Sequence, residues 1–238
     1  MADFSDRVVL VTGAGGSLGS AVARTFYAGG ARLVLAERSP EKIAAALPEI
    51  AQDADRALVQ AADLTDPASV VALVQVALER FGQIDALANT VGGYRAGTPV
   101  HETPVEQWEF MLSLNARTAF LVSQAVIPPM LERGSGHIVH VAARAALSGG
   151  AKMAAYSASK SALIRLVESL AAELKHSGIT VNCVLPGTID TPQNRAEMPK
   201  ADFSKWVAPE AIADVIAFLA SDAARAVQGA AIPVYGRS

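Results

Sequence analysis

A single cysteine in 238 residues excludes an internal disulfide, and the apolar stretch that holds Cys183, Val181 to Leu185, reads as burial rather than redox chemistry. Histidines are almost as scarce. His101, His137, His140 and His176 show no paired metal-ligand spacing, and no Ser-His-Asp arrangement can be assembled from them, so no metal and no triad-type hydrolysis is expected. Charge is thin too, at 18% of residues with a net −3 and no basic block or stripe, which gives no reason to expect nucleic acid or an anionic membrane as partner. Charged or polar residues interrupt each long apolar segment, and no basic start precedes an apolar signal region, so the expectation is a cytoplasmic protein without a membrane span. Repeats, low-complexity tracts and linkers are missing as well. With 51% hydrophobic residues, the chain suits one compact domain over 1–238.

What is present is alternation. Short apolar runs alternate with longer amphipathic stretches, the pattern of an α/β fold in which a parallel sheet is covered by helices on both faces. Expected strands are Val8 to Val11, Arg32 to Ala36, Leu58 to Gln60, Ile84 to Ala88, His137 to Val141, Thr180 to Val184 and Ala231 to Val234, about seven in a doubly wound, Rossmann-type sheet. Helix starts are marked by Ser39-Pro40, Asp66-Pro67 and Thr103-Pro104, the last with Glu106 completing a capping box, and by Pro209. Leu163, Leu166, Val167, Leu170 and Leu174 form an apolar stripe on a later helix. Two segments read as irregular, Gly92 to Thr98 and Thr188 to Lys205, and a short substrate loop is expected at about 190–208.

The first strand runs into Thr12-Gly13-Ala14-Gly15-Gly16-Ser17-Leu18-Gly19 and then a helix. Glycines let backbone approach a pyrophosphate, and the free amides of a helix start attract its charge, so this is where a dinucleotide belongs. Glu37, at the end of the second strand, can accept hydrogen bonds from an adenosine ribose and repel a 2′-phosphate, which favours NAD; Arg38 beside it leaves NADP open. Far downstream, Tyr156 and Lys160 stand at i and i+4, on one helix face, where an ammonium can favour ionisation of a phenol.

These elements in this order resemble the short-chain dehydrogenase/reductase family over nearly the whole chain. Asp63-Leu64 resembles the family's adenine contact, Asn89-Thr90-Val91-Gly92 its Asn-Asn-Ala-Gly segment, and Asn115 its helix asparagine. Pro186-Gly187-Thr188-Ile189-Asp190-Thr191 is similar to the segment that holds the nicotinamide amide. The resemblance implies a nicotinamide-dependent oxidoreductase acting on a small molecule. In it Tyr156 exchanges a proton with substrate, Lys160 holds the nicotinamide ribose and lowers the phenol's pKa, and Asn115 supports a water that links Lys160 to solvent. A helix asparagine bonding its own backbone is the alternative for Asn115. The resemblance also implies a homodimer or homotetramer built on the long helices near Asn115 and Tyr156.

Departures from the family pattern narrow the reading. Its catalytic serine falls on Ala143, its second motif glycine on Ser17, and its Asp-Gly-Gly ending is replaced by Ile232 to Ser238. Ser148 is the nearest serine toward Tyr156, several positions from the missing one. A narrower likeness runs from Asp190-Thr191-Pro192-Gln193-Asn194-Arg195 through Met198-Pro199 to Trp206, and takes in Gly92-Gly93-Tyr94: these resemble dihydropteridine reductases, family members that also lack the serine and prefer NADH. A quinonoid dihydropterin is electron-poor and conjugated, and needs less polarisation than a ketone before it accepts hydride. Tyr94, Phe203 and Trp206 are candidates to stack on such a ring, or to be lid or core aromatics. Two other readings stand beside this one: an ordinary alcohol or carbonyl dehydrogenase with another donor, and a nucleotide-binding protein without catalysis.

Overall fold

The structure is a computed structural model that describes residues 2–237; Met1 and Ser238, the last residue of the atypical C-terminal segment, lie outside them. In chain order it runs β1 (Val8–Thr12), α1 (Ser17–Ala28), β2 (Arg32–Glu37), α2 (Pro40–Ala46), α3 (Pro48–Gln52), β3 (Ala57–Ala61), α4 (Pro67–Phe81), β4 (Ala86–Asn89), α5 (Val105–Leu112), α6 (Thr118–Arg133), β5 (Gly136–Val141), α7 (Ala154–Leu174), β6 (Ile179–Pro186), α8 (Pro192–Glu197), α9 (Pro209–Leu219) and β7 (Ala231–Val234). All seven expected strands are present, in one parallel sheet of order β3-β2-β1-β4-β5-β6-β7. Strands buried on both faces can be apolar throughout, which is why β1 reads as an unbroken hydrophobic run from Val8 to Val11, while the fully buried β5 and β6 are mostly apolar. One face is packed by Val22 and Phe26 of α1, Ile43 of α2, and Ile212 and Ile216 of α9. Val70 and Leu73 of α4, Val122 and Val126 of α6, and Leu163 and Val167 of α7 pack the other. At about 25 cal/mol per Å² these two apolar layers are the main stabilising term. They also fix the strand ends that carry the site.

Local signals fared unevenly. Asp66 caps α4 by accepting the Ala68 amide at 3.1 Å, and Pro209 opens α9. The capping box at Thr103 does not form: its hydroxyl donates backward to the carbonyls of Pro99 (2.9 Å) and Thr98 (3.3 Å), and the helix begins at Val105 behind Pro104. β4 starts at Ala86 rather than Ile84, because buried Asp85 turns its carboxylate to the Val8 amide (2.7 Å) and to Arg133 (2.8 Å). The segment expected to be irregular around 188–205 contains α8, capped by Thr191, and a 3₁₀ turn at Phe203–Lys205. Helix from Val105 to Arg133 is long and apolar enough to cross a membrane, with mean hydropathy 1.3 over its best window, although Ser113, Asn115, Arg117, Ser123 and Gln124 interrupt it. Met111, Val122, Val126 and Met130 instead place its buried side inside the domain. A π-turn, Ser113–Arg117, joins α5 to α6 within it.

Candidate active site

In a doubly wound sheet the order reverses between β1 and β4, and the crevice beyond the strands' C-terminal ends is where ligands bind. The sequence-selected residues converge on that edge. Gly13 takes φ +68° in the turn after β1, and a Cβ on Gly19 would fall 2.0 Å from the Gly13 carbonyl oxygen, so α1 can start against the turn only if residue 19 has no side chain. Gly16 occupies the N-cap of α1, no side chain caps that end, and no acid lies in its first turn. The amides of Ser17, Leu18 and Gly19 therefore have no partner within the helix, at its positive end.

Glu37 closes β2, half-buried, its carboxylate accepting the Arg38 amide at 3.1 Å. Asp63 and Leu64 follow β3. Leu64 is buried, while the exposed Asp63 accepts both the amide (2.9 Å) and hydroxyl (2.7 Å) of Thr65, bonds that hold its carboxyl below the usual range, with Arg38 adding to the effect. Asn89 ends β4 with its side chain turned into the sheet. Its Oδ1 accepts the Thr12 hydroxyl at 2.6 Å and its Nδ2 faces His140 Nδ1 at 3.0 Å. That amide orientation makes Nδ1 an acceptor, so the other His140 nitrogen, 3.0 Å from the Ser123 hydroxyl, carries the proton. His140 is thus neutral and satisfied. Burial first, then the Lys160 charge, pushes its pKa down to about 3.

Tyr156 and Lys160 lie in the first two turns of α7. Lys160 is 4% exposed and donates to the Val141 carbonyl at 2.8 Å. Burial lowers its pKa to about 8, against a small opposing effect of Cys183. Tyr156 is raised to about 12, chiefly by burial and then by Tyr94. This reverses the expectation that Lys160 lowers the phenol: the ammonium is turned to the Val141 carbonyl, and desolvation of the phenolate outweighs it.

Asn115 sits in the π-turn, a feature without a sequence signature that recurs at functional sites. Its side chain does not bond its own helix backbone. Oδ1 accepts the Gly93 amide at 3.0 Å, while Nδ2 donates to the Gly93 carbonyl (3.1 Å) and the Ser159 hydroxyl (3.0 Å). Ser159, which sequence reading passed over, donates in turn to the Tyr156 carbonyl at 2.8 Å. A Cβ on Gly92 would lie 2.9 Å from both Asn115 Oδ1 and Lys160 Nζ, so the bare glycine is what lets the segment after β4 pass between them. At the end of β6, Pro186 leads to Gly187, whose amide donates to the Val234 carbonyl (3.2 Å), and Ile189 bridges to Val207. Thr191 uses its hydroxyl to cap α8, accepting from Asn194 at 3.1 Å. Ala143, extended and 7% exposed, stands after β5 and offers no hydroxyl.

A glycine turn at the switch point, an uncapped helix start and a tyrosine–lysine pair across the same crevice define an oxidoreductase of the dinucleotide-binding α/β class. The model of the short chain dehydrogenase family matches residues 7–202, and the chain belongs to that family. It is 35% identical over 247 residues to the 2-(R)-hydroxypropyl-CoM dehydrogenase of Xanthobacter autotrophicus, covering 97% of both chains. With the levodione reductase of Leifsonia aquatica it shares 35% over 253 residues, covering 98% of this chain and 94% of that one. A solved levodione reductase structure superposes with a TM-score of 0.90 at 32% identity, covering 98% of this chain and 97% of the other. A short-chain type dehydrogenase/reductase from Mycobacterium ulcerans gives 0.92 at 29% identity, with 99% and 90% covered.

Proposed function

We propose that this chain is an NADH-dependent reductase of a small conjugated acceptor, of which a quinonoid dihydropterin is the best-matched example. The observation that carries the reading is an intact Tyr156–Lys160–Asn115 framework together with a position after β5, Ala143, that has no side-chain hydrogen-bond donor. An acceptor that is already electron-poor tolerates that loss, whereas at a site that depends on it one missing donor costs roughly 10²–10³ in rate. The crevice fits a nicotinamide dinucleotide: the amides of Ser17 to Gly19 and the close approach allowed at Gly13 suit a pyrophosphate, and Glu37 suits an unphosphorylated adenosine ribose. Asp63 and Leu64 would meet the adenine side, and Pro186, Gly187, Ile189 and Thr191 the nicotinamide side. With its side chain held in the sheet, Asn89 would contribute position or backbone.

A dinucleotide held there would supply the hydride. Tyr156, protonated at neutral pH, gives its proton to the substrate heteroatom as negative charge develops there. Lys160 would hold ribose hydroxyls with its remaining donors, and Asn115 fixes the segment beside it by binding the Gly93 amide and carbonyl. We further propose a cytoplasmic homo-oligomer. A second reading, reduction or oxidation of an ordinary carbonyl or alcohol, draws support from relatives whose names give a hydroxypropyl compound and levodione as substrates.

The test is NADH oxidation with freshly generated quinonoid dihydropterin alongside a ketone panel. Turnover on the dihydropterin should fall by at least 10³ in Tyr156→Phe while NADH fluorescence titrations stay unchanged. Turnover that survives the substitution removes Tyr156 from the chemistry, and activity confined to ketones selects the second reading.

A further inference from the structure

Tyr94 is 58% exposed, yet the segment that carries it is held on both sides. Asn115 binds the amide and carbonyl of Gly93. Arg95 lies over the Phe110 ring, 3.8 Å from its centroid, and the Gly97 amide donates to the Lys152 carbonyl at 2.9 Å, just ahead of α7. Between these anchors the Tyr94 ring meets Tyr156 edge to face, centroids 4.8 Å apart and planes at 82°. Leaving a large aromatic side chain in water while fixing its neighbours makes no sense as core packing, but it does as the wall of a site.

We propose that Tyr94 is a catalytic residue, whose phenol donates the second hydrogen bond to the reacting heteroatom that no hydroxyl at position 143 can give. The proposal rests on the hydride-transfer reading above, in either of its substrate forms. Two phenols whose rings touch can both reach one ligand atom, Tyr156 transferring its proton there and Tyr94 donating a hydrogen bond. The electrostatic effect of Tyr94 on Tyr156 agrees with that proximity. Such a donor extends the substrate class from conjugated acceptors to carbonyl groups that need polarisation.

Tyr94→Phe keeps the ring and the wall and removes only the donor. On the parent's best carbonyl substrate it should lower kcat/KM by about 10² while NADH affinity, followed by fluorescence, stays within twofold, and a parent that reduces no carbonyl compound would overturn the donor role. Adding Ala143→Ser should recover at least tenfold in the Tyr94→Phe background and little in the parent. Full activity in Tyr94→Phe would overturn the donor role and leave an aromatic wall. So would a gain from Ala143→Ser of equal size in both backgrounds. A parent that binds NADH but transfers hydride to no acceptor in the panel would overturn the functional reading and this proposal with it, an outcome visible before any Tyr94 variant is made.

Discussion

Replacing Lys160 by methionine should abolish hydride transfer and still stabilise the cofactor-free protein. The ammonium is 4% exposed and donates to one carbonyl, Val141, at 2.8 Å; among the described residues no carboxylate lies within ion-pair distance of it. A buried charge without a counter-ion is expensive. Its fall from 10.5 to about 8 corresponds to about 3 kcal/mol of folding free energy that the charged lysine costs. Methionine has nearly the same length and no charge, but it leaves the Val141 carbonyl without that donor, at a cost of about 1–2 kcal/mol. The net gain is about 1–2 kcal/mol, or roughly 2–8 °C in Tm for a chain of this size. The pH dependence carries the sign. Between about 8 and 10.5 the unfolded chain binds the proton that folded Lys160 has released, so the parent gains stability as pH rises through that window and the variant does not. Urea midpoints at pH 7 and pH 9.5 should therefore show the variant ahead at the lower pH and the gap shrinking at the higher. A variant less stable than the parent at pH 7, or a gap that does not change with pH, would refute the burial argument.

Glu37→Ser should cut the preference for NADH over NADPH by about tenfold or more by removing like-charge repulsion of a 2′-phosphate, read as the ratio of the two kcat/KM values. An unchanged ratio would take Glu37 out of cofactor choice. His140, neutral in the fold down to about 3, leaves a proton to the unfolded chain below 6.5, so stability should fall as pH drops through that range. His140→Gln should flatten that slope in urea midpoints between pH 6.5 and 4.5, with a remainder from His137, which burial shifts in the same direction. An unaltered slope would place the acid sensitivity elsewhere.

Which parts of this molecule were legible in its sequence follows from the range of the forces that shaped them. Parallel strands buried on both faces announce themselves as apolar runs, and the turn after β1 is spelled by glycines whose steric need is local. Asn115 shows the opposite case. Its partners are Gly93 and Ser159, 22 and 44 positions away, and no periodicity rule reaches that far. The π-turn that presents it leaves the composition of a helix unchanged. Thr103 failed as a cap because two carbonyls just upstream accepted its hydroxyl first, a competition that spacing alone cannot decide. The Tyr156–Lys160 pair was found by spacing, but the direction of the phenol's shift was not, since sequence shows which charges are near and not how much water has been removed.

That reversed shift bears on the direction of the proposed reaction. A phenol raised to about 12 beside an ammonium still mostly charged at pH 7 gives a site that holds its transferable proton on Tyr156. Reduction uses the site in that state: the acceptor gains hydride on one side and the phenol's proton on the other, and the phenolate forms only when product charge has been neutralised. Oxidation must instead ionise Tyr156 first, against the burial that raised it, and needs an added positive charge in the crevice to do so. Ala143 adds nothing to that asymmetry, because a missing donor withholds stabilisation equally from an alkoxide forming and from one being consumed; what it narrows is the substrate, since an electron-poor acceptor needs the donor least. The ligand-free electrostatics therefore favour a reductase, and Tyr94 decides how unreactive its substrate can be.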